Sequence, residues 1–296
     1  MTSEEYHQSA LLQYIGTFLQ IQEGKKYIDA TIGGGGHARE ILQRGGIVLG
    51  IDRDPEAIEA CKELQTQYKK QMTLVLGDFR HIGEIAKEHG FDPSHGILFD
   101  LGTSLHQLTS ATRGFRFSDD TGLDMRMNTR ENIPTAKDLI NGLYEKELAT
   151  LFEKYGEDPM SRIIAREVVR ERAHKKIETG KELSELIVRE YRKKGVKTHI
   201  HPATRVFQAL RIAVNDELNA LKDALPQTVH LLEPGGRIVV LSFHSLEDRI
   251  VKHFLQEEEE KKHIRIITSK PVVPTEQEKM DVVTQRSVKL RVGEKL

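Results

Sequence analysis

The chain has 296 residues, which is enough for one large domain or two moderate ones with a buried core. Its 44 Lys and Arg residues nearly balance 45 Asp and Glu residues, so a polybasic binder is excluded, and any nucleic acid would have to meet a local patch. The single cysteine, Cys61, excludes an intramolecular disulfide and zinc sites built on paired cysteines.

Seven short apolar runs, rich in β-branched residues, are separated by stretches of helical character. Two of these runs, Ile47–Ile51 and Gly96–Phe99, are continuously apolar, which is typical of strands buried on both faces of a parallel sheet. The pattern predicts an α/β fold with a mainly parallel, seven-stranded sheet. The predicted strands are Tyr27–Ile32, Ile47–Ile51, Met72–Leu76, Gly96–Phe99, Arg237–Phe243, Ile264–Ile267 and Val288–Val292.

The stretch between the fourth and fifth strands has helix signals instead. Thr135–Asp138 and Thr179–Glu182 are typical helix starts, and Gly156 is a candidate helix end. A long amphipathic helix is predicted over 201–225, covering the sheet and stopping before Pro226.

These signals predict two domains. The sheet domain would comprise residues 1–108 and 201–296, and a helical subdomain would be inserted at 109–200. Insertion is the simplest account because the strand pattern stops and then resumes.

A glycine-rich turn follows the first strand and opens a helix. Gly33, Gly35 and Gly36 belong to this turn, where bare backbone can approach a nucleotide-like ligand. A strained turn without a ligand is the alternative. Asp52 ends the second strand 19 positions after Gly33, close to the spacing at which a carboxylate meets ribose hydroxyls. The two features together favour an adenosine-containing ligand.

Acidic residues end all four of the first strands. Besides Asp29 and Asp52, the third strand ends in Asp78-Phe79 and the fourth in Asp100. Four carboxylates would repel a pyrophosphate and suit a cation, which favours S-adenosylmethionine over a dinucleotide. Taken singly, Asp78 and Asp100 are also plausible caps, and Phe79 is a plausible core residue.

Six sequence blocks, in order along nearly the whole chain, resemble the bacterial ribosomal RNA small subunit methyltransferase H family. The resemblance implies a class I, Rossmann-like, S-adenosylmethionine-dependent methyltransferase. It would methylate the exocyclic N4 of one cytidine in 16S ribosomal RNA near the decoding site. The blocks are Asp-Ala-Thr-x-Gly-x-Gly-Gly-His at 29–37, Phe-Asp-Leu-Gly at 99–102, Leu-Asp-Met-Arg-Met at 123–127, His-Pro-Ala-Thr-Arg-x-Phe-Gln-Ala-Leu-Arg-Ile at 201–212, Val-Asn-x-Glu-Leu at 214–218 and Ser-Phe-His-Ser-Leu-Glu-Asp-Arg at 242–249.

The resemblance also assigns cofactor contacts, to which the glycine turn adds Gly33. Two short segments depart from the family pattern, Thr103-Ser104-Leu105 and Arg113–Ser118, and both concern docking of the target base rather than the cofactor. The residues implied to contact the cofactor are Gly35, Gly36, His37, Asp52, Phe79, Asp100 and Gln107.

The N4 amine of cytosine is a weak nucleophile because its lone pair is delocalised into the ring. The enzyme must therefore align the amine and accept hydrogen bonds from it. Asp100 is the predicted acceptor or methionine-binding group, with Ser104 assisting. Asn215 is a third candidate, for which a buried asparagine bonded to backbone is the alternative.

A local basic region is expected to bind the RNA. Residues 161–200 contain 12 Lys and Arg and 6 Glu, so this segment carries a net charge of +6. Arg113–Phe117 interleaves cations and aromatic rings, which suits stacking of an unpaired base. A solvated helix face and a subdomain core are the respective alternatives. The candidate RNA-binding residues are Arg113, Phe115, Arg116, Arg166, Arg170, Arg192 and Lys193.

Two other classes remain as rivals: a nucleotide-dependent oxidoreductase, which the glycine turn alone permits, and a non-catalytic RNA-binding assembly factor. We expect no metal site, since the histidines lack a clustered ligand set. No apolar run is long enough to span a membrane and no basic leader precedes an apolar stretch, so we expect a cytoplasmic protein without a membrane partner. The few aromatic residues suggest a monomer or modest dimer.

Overall fold

The computed structural model describes residues 11–275 and 287–296, apart from residues 111, 119 and 121. The chain forms two compact units. The first takes residues up to Leu105 and from Leu218 onward, and the second is His106–Glu217.

The first unit is built on a seven-stranded sheet, as predicted. The strand order is β3-β2-β1-β4-β5-β7-β6, and β7 runs antiparallel to both of its neighbours. The pairs among β1 to β5 are parallel. The strands are β1 (Lys26–Asp29), β2 (Ile47–Asp52), β3 (Met72–Leu76), β4 (Ser94–Asp100), β5 (Leu232–Ser242), β6 (Ile264–Ile266) and β7 (Lys289–Lys295).

Helices connect the strands of the first unit and make up most of the second. A short 3-10 turn, Phe79–His81, follows β3. In chain order the helices of the described residues are α1 (Leu12–Phe18), α2 (Gly36–Gln43), α3 (Pro55–Ala60), α4 (Lys62–Gln67), α5 (Ile82–Glu88), α6 (Leu105–Thr109), α7 (Ala136–Gly142), α8 (Glu145–Gly156), α9 (Ser161–Arg172), α10 (Gly180–Lys194), α11 (Thr204–Asn215), α12 (Glu217–Leu231) and α13 (Ser245–Glu260).

Each face of the sheet packs into its own hydrophobic cluster, because successive side chains of a strand point to opposite faces. Ile28 lies in the cluster on one face, together with α12, while Tyr27 lies in the other with α2. By the same alternation, Asp29, Asp52 and Asp100 lie on the α2 face of the sheet. The carboxyl ends of β1, β2 and β4 therefore present carboxylates on the same side.

The predicted helix over 201–225 is in fact two helices. Asp216 adopts a left-handed conformation with φ 51° and separates α11 from α12. Pro226, the predicted stop, lies inside α12. Side chains just after the proline reach nearby carbonyls, since Gln227 Nε2 donates to Asp223 O (2.7 Å) and Thr228 Oγ1 donates to Leu225 O (2.6 Å). Burial of α12 against the sheet outweighs the local cost of the proline.

The second unit has a hydrophobic core of its own, formed by α7 to α11 and the loop before them. Its helices α7 and α10 begin with capping boxes at Thr135 and Thr179, the two starts predicted from sequence. The helical unit runs to Glu217 rather than to the predicted residue 200. The reason is α11, whose apolar face packs into this core and not onto the sheet.

Candidate active site

The glycine turn joins β1 to α2 at the carboxyl edge of the sheet. Gly35 is the residue before α2 and has φ 77°, a conformation that favours glycine. A Cβ there would also lie 3.0 Å from Cys61 Sγ. Gly35 N donates to Ile32 O (2.8 Å), which closes the turn. The first turn of α2 is thus held at the end of β1.

Asp52 is fixed by the backbone on either side of it. Its Oδ2 accepts from Gly33 N and its Oδ1 from Asp54 N, both at 2.9 Å. Burial raises the pKa of Asp52 to about 6, against the opposing effect of these two hydrogen bonds. Each oxygen keeps a second lone pair, so the carboxylate can still accept hydroxyl donors.

Asp29 is the most deeply buried carboxyl group of the set, 1% exposed. Thr31 N donates to Oδ1 (3.3 Å), whereas Oδ2 has no hydrogen-bond partner within the described structure. Burial, together with the charges of Asp100 and Asp52, raises its pKa to about 8. A buried acid with an unpartnered oxygen is suited to a cationic or hydrogen-bonding ligand.

Asp100 ends β4 on the same face of the sheet and lies beside α2. His37 Nδ1 lies 3.5 Å from Asp100 Oδ2, and both side chains are largely buried. Thr31 Oγ1 accepts from Asp100 N (2.6 Å), which ties the end of β4 to the glycine turn. His37 and Asp100, both predicted site residues, are therefore neighbours.

Asp78 and Phe79 complete the edge at the end of β3. Asp78 Oδ1 caps the 3-10 turn by accepting from Arg80 N (2.9 Å), which is the capping role left open by the sequence. Phe79 is partly exposed and packs edge-on against Phe99 at 5.6 Å. Arg53 Nη1 lies 3.8 Å from Asp78 Oδ2. A lone arginine makes no sequence pattern, so this neighbour could not be predicted.

These residues fit S-adenosylmethionine by their chemistry. Asp52 suits the ribose diol, and the carboxyl groups of Asp29 and Asp100 suit positive charge. The partly exposed Phe79 offers a ring to the adenine. Asp29 Oδ2, buried and unpartnered among the described residues, is the observation that fits a cationic or hydrogen-bonding ligand most directly.

The remaining predicted residues are distributed between the units. Ser104 lies in the first unit, in the partly buried turn that follows β4. Gln107, on α6, is buried within the second unit. The structure thus brings the glycine turn, His37, Asp52, Phe79 and Asp100 together on one sheet edge.

Asn215 belongs to the second unit and is 1% exposed. Its Oδ1 accepts from Met127 N (2.7 Å), and its Nδ2 donates to Met125 O (2.8 Å) and Arg211 O (2.9 Å). Met125 has φ 61°, so the amide holds a strained loop in place. These contacts match the alternative, a buried asparagine bonded to backbone, and the catalytic role of Asn215 stays a prediction.

Arg113 and Phe115 correct one expectation, since both are too buried to contact RNA. Arg113 is 3% exposed and its Nη2 donates to the carbonyls of Arg126 (3.2 Å) and Met127 (2.6 Å). Phe115 is 6% exposed and lies in the core of the second unit. Arg116, by contrast, is partly exposed. In this segment Arg113 holds the carbonyls of the 126–127 loop and Phe115 packs in the core.

The loop that Arg113 and Asn215 hold contains an ion pair which the sequence analysis did not assign. Asp124 accepts from Arg126 Nε (2.7 Å) and Nη2 (2.8 Å). Partial burial tends to raise the pKa of Asp124, but the Arg126 hydrogen bonds outweigh it and lower the pKa. The sequence block at 123–127 therefore encodes a folded loop.

The other predicted RNA contacts lie on the surface of the second unit. Arg166 and Arg170 are exposed and share Glu167, at 3.3 and 3.7 Å. Lys193 pairs with Glu190 (2.7 Å), and Arg192 is exposed. Exposed pairs of this kind are weak, so these cations remain able to exchange a carboxylate for a phosphate.

The sheet order and the antiparallel β7 are those of the class I methyltransferase fold, and the carboxylate-lined edge fits S-adenosylmethionine as cofactor. A sequence profile of the MraW methylase family matches residues 4–296. The chain belongs to this family.

Individual relatives cover nearly all of the chain. The Ribosomal RNA small subunit methyltransferase H of Thermomicrobium roseum is 43% identical and covers 98% of this chain and 94% of its own. The protein of the same name from Deinococcus radiodurans is 45% identical, covering 92% of this chain and 84% of its own. Among solved structures, an rRNA methylase from Streptococcus thermophilus has a TM-score of 0.45 and 10% identity, covering 96% of this chain and 93% of its own.

No helix within the described part of the chain is both long and apolar enough to cross a membrane.

Proposed function

We propose that the protein transfers a methyl group from S-adenosylmethionine to the exocyclic N4 of one cytidine in 16S ribosomal RNA, near the decoding site of the small ribosomal subunit. The observation that carries this proposal is the near full-length similarity to relatives named Ribosomal RNA small subunit methyltransferase H. The acidic sheet edge supports the cofactor half of the proposal, and the basic surface of the second unit supports the RNA half.

The cofactor, when bound, supplies an electrophilic methyl group on a positively charged sulfur. The Asp52 carboxylate would accept hydrogen bonds from the ribose hydroxyls through the lone pairs that its backbone donors leave unused. Asp29 and Asp100 would balance the positive charge of the ligand. Phe79 would pack against the adenine ring.

The target amine needs a hydrogen-bond acceptor, because methylation makes N4 pyramidal and leaves it with a proton to lose. Asp100 Oδ is our proposed acceptor, and His37 Nδ1, 3.5 Å away, would orient that carboxylate. Ser104, in the turn after β4, would assist. Asn215 would act at a distance by holding the Met125–Met127 loop.

The second unit would hold the RNA through exposed cations. Arg166, Arg170, Arg192 and Lys193 lie on its surface and would contact phosphates without reading sequence. Affinity should therefore fall steeply as salt rises.

A methyl-transfer assay tests the proposal. Purified protein is incubated with S-adenosylmethionine labelled in the methyl group and with small ribosomal subunits that lack the modification. We expect label in the small-subunit RNA, a strong loss with Asp52→Ala or Asp100→Asn, and no change with Glu63→Gln, an exposed acid on α4. Absence of label from the wild-type reaction would contradict the proposal.

The rivals give different results in companion measurements. An oxidoreductase would bind nicotinamide dinucleotides, whereas we expect binding of S-adenosylhomocysteine and none of the dinucleotides. A non-catalytic assembly factor would bind small subunits but incorporate no label. Full incorporation by Asp100→Asn, with unchanged cofactor affinity, would remove Asp100 from its proposed role.

A further inference from the structure

The second unit carries an exposed aromatic ring, that of His201, which has no part in the proposed mechanism. Phe117 stacks face to face on His201, with ring centroids 4.6 Å apart and planes inclined by 11°. The buried Phe207 packs edge-to-face with Phe117, with ring centroids 4.9 Å apart and planes at 90°. His201 is exposed. Since Phe117 covers one face of the imidazole, the exposed part is its opposite face and its edge.

The His201 ring is also held in a fixed orientation. Ala203 N donates to His201 Nδ1 (3.2 Å), and Thr204 N donates to His201 O (3.0 Å), just before α11 begins. Because Nδ1 accepts this hydrogen bond, Nε2 is the remaining polar atom of the ring. The ring is thus a preorganised flat surface with a polar edge, so little conformational freedom would be lost when a ligand stacks on it.

The surroundings of this ring are positively charged. The segment 192–201, which ends at His201, is exposed throughout and contains Arg192, Lys193, Lys194 and Lys197. The sequence has no acidic residue from 191 to 215. A flat ring at the end of a cationic segment combines the two elements that hold single-stranded nucleic acid, a stacking platform and a phosphate-binding strip.

We propose that the outer face of His201 is a stacking site for an unpaired nucleobase of the RNA substrate, and that the 192–201 segment binds the phosphates beside that base. The identity of the RNA rests on the proposed function, but the stacking site itself does not. Phe117 acts from behind, by supporting the imidazole plane.

Binding of a short RNA tests the site in the full-length protein. The probe is a fluorescein-labelled dodecamer of cytidylates, compared with an otherwise identical dodecamer that carries abasic sites, and affinity is measured by fluorescence anisotropy. We expect wild type to bind the base-containing probe about tenfold or more tightly than the abasic one, the typical effect of a stacked base.

Single substitutions separate the contribution of base stacking to RNA binding from the contribution of charge. His201→Ala should lose that preference for bases while keeping the salt dependence of binding, and His201→Tyr should retain the preference. His199→Ala, an exposed histidine of the same segment, is the matched control and should bind as wild type does. Lys194→Gln should weaken both probes equally and reduce the salt dependence.

Three results would overturn the inference: equal wild-type affinity for the two probes, an unchanged preference in His201→Ala, or equal losses in His201→Ala and His199→Ala. The comparison of probes uses wild-type protein, so it does not depend on the folding of a variant. The methyl-transfer assay on small subunits is run in parallel. A base preference without methyl transfer would reject the proposed function alone, and methyl transfer without a base preference would reject the stacking site alone.

Discussion

At the scale of single residues, the site is dominated by acids that burial makes hard to ionise. Asp29 and Asp52 have pKa values raised to about 8 and about 6, and they lie on the same face of the sheet as Asp100. Burying several carboxyl groups close together lowers the stability of the folded protein. The arrangement is typical of a functional site, where a ligand of opposite charge compensates the cost.

The raised pKa of Asp29 makes stability fall with increasing pH. In the unfolded chain the group ionises near pH 3.8, whereas in the folded protein it stays protonated until about pH 8. Its contribution is therefore fully present below the unfolded pKa and is lost as the pH rises through the folded one. The smaller contribution of Asp52 to the free energy of unfolding is lost between its unfolded pKa and about pH 6.

Asp29→Asn should remove most of this pH dependence in the absence of cofactor. Between about pH 6 and about pH 9, we expect wild type to lose on the order of 2 kcal/mol more unfolding free energy than the variant does. Urea unfolding at the two pH values measures the difference. Parallel losses in wild type and variant would show that Asp29 is already ionised in the folded protein.

Cofactor binding should release protons near neutral pH. A cation beside Asp29 favours its ionised form, so S-adenosylmethionine should bind more tightly as the pH rises from about 6 to about 8. Calorimetry at neutral pH in phosphate and in Tris, whose ionisation enthalpies differ, measures the released protons. Asp29→Asn should release fewer, and so should wild type with S-adenosylhomocysteine, which lacks the sulfonium charge. Equal heats in the two buffers would contradict this prediction.

At the scale of helices and strands, the sequence was sufficient to predict those elements that depend only on neighbouring residues. The seven strands and the starts of α7 and α10 were predicted because apolar runs and capping boxes need no distant partner. The continuation of α12 through Pro226 was not predicted, because burial against the sheet decides it. The division after residue 200 also differs from the structure, since sequence does not show which core receives the apolar face of α11.

The packing of α8 against α11 depends on one small residue. A Cβ at Gly156 would lie 2.6 Å from Arg205 O, a backbone atom that cannot move aside. Gly156→Ala should therefore destabilise the second unit by about 1–3 kcal/mol, as overpacking commonly does. Gly142→Ala is the matched control, because a Cβ there meets nothing within 4 Å. The free energy of unfolding is measured in denaturant. Equal values for the two variants would contradict the prediction.

At the scale of the whole molecule, the two units divide the work that the proposed function requires. The first unit gathers the predicted cofactor residues other than Gln107 at the carboxyl edge of its sheet. The glycine turn, Asp52, Phe79 and Asp100 could be predicted from topology because parallel strand ends meet at that edge, whereas His37 was implied only by the family resemblance. The second unit carries the exposed cations, which a net charge of −1 for the whole chain conceals.

The roles of Asn215, Arg113 and Phe115 could not be read from sequence. A polar or aromatic residue in a sequence motif can either bind a ligand or hold a buried loop, and only the contacts decide between the two roles. Here the contacts show that all three hold the core and loop of the second unit. For His201 the proposed binding role could not be predicted, because its stacking on Phe117 joins positions that are far apart in the chain.

Nucleoside analysis of the product RNA identifies the atom that the protein methylates. Small subunits lacking the modification are treated with the protein and labelled S-adenosylmethionine, the 16S RNA is digested, and the nucleosides are identified by mass spectrometry. We expect N4-methylcytidine, in a fragment near the decoding site, with wild type and not with Asp52→Ala. Label in another nucleoside, or at a carbon or ribose position of cytidine, would contradict it.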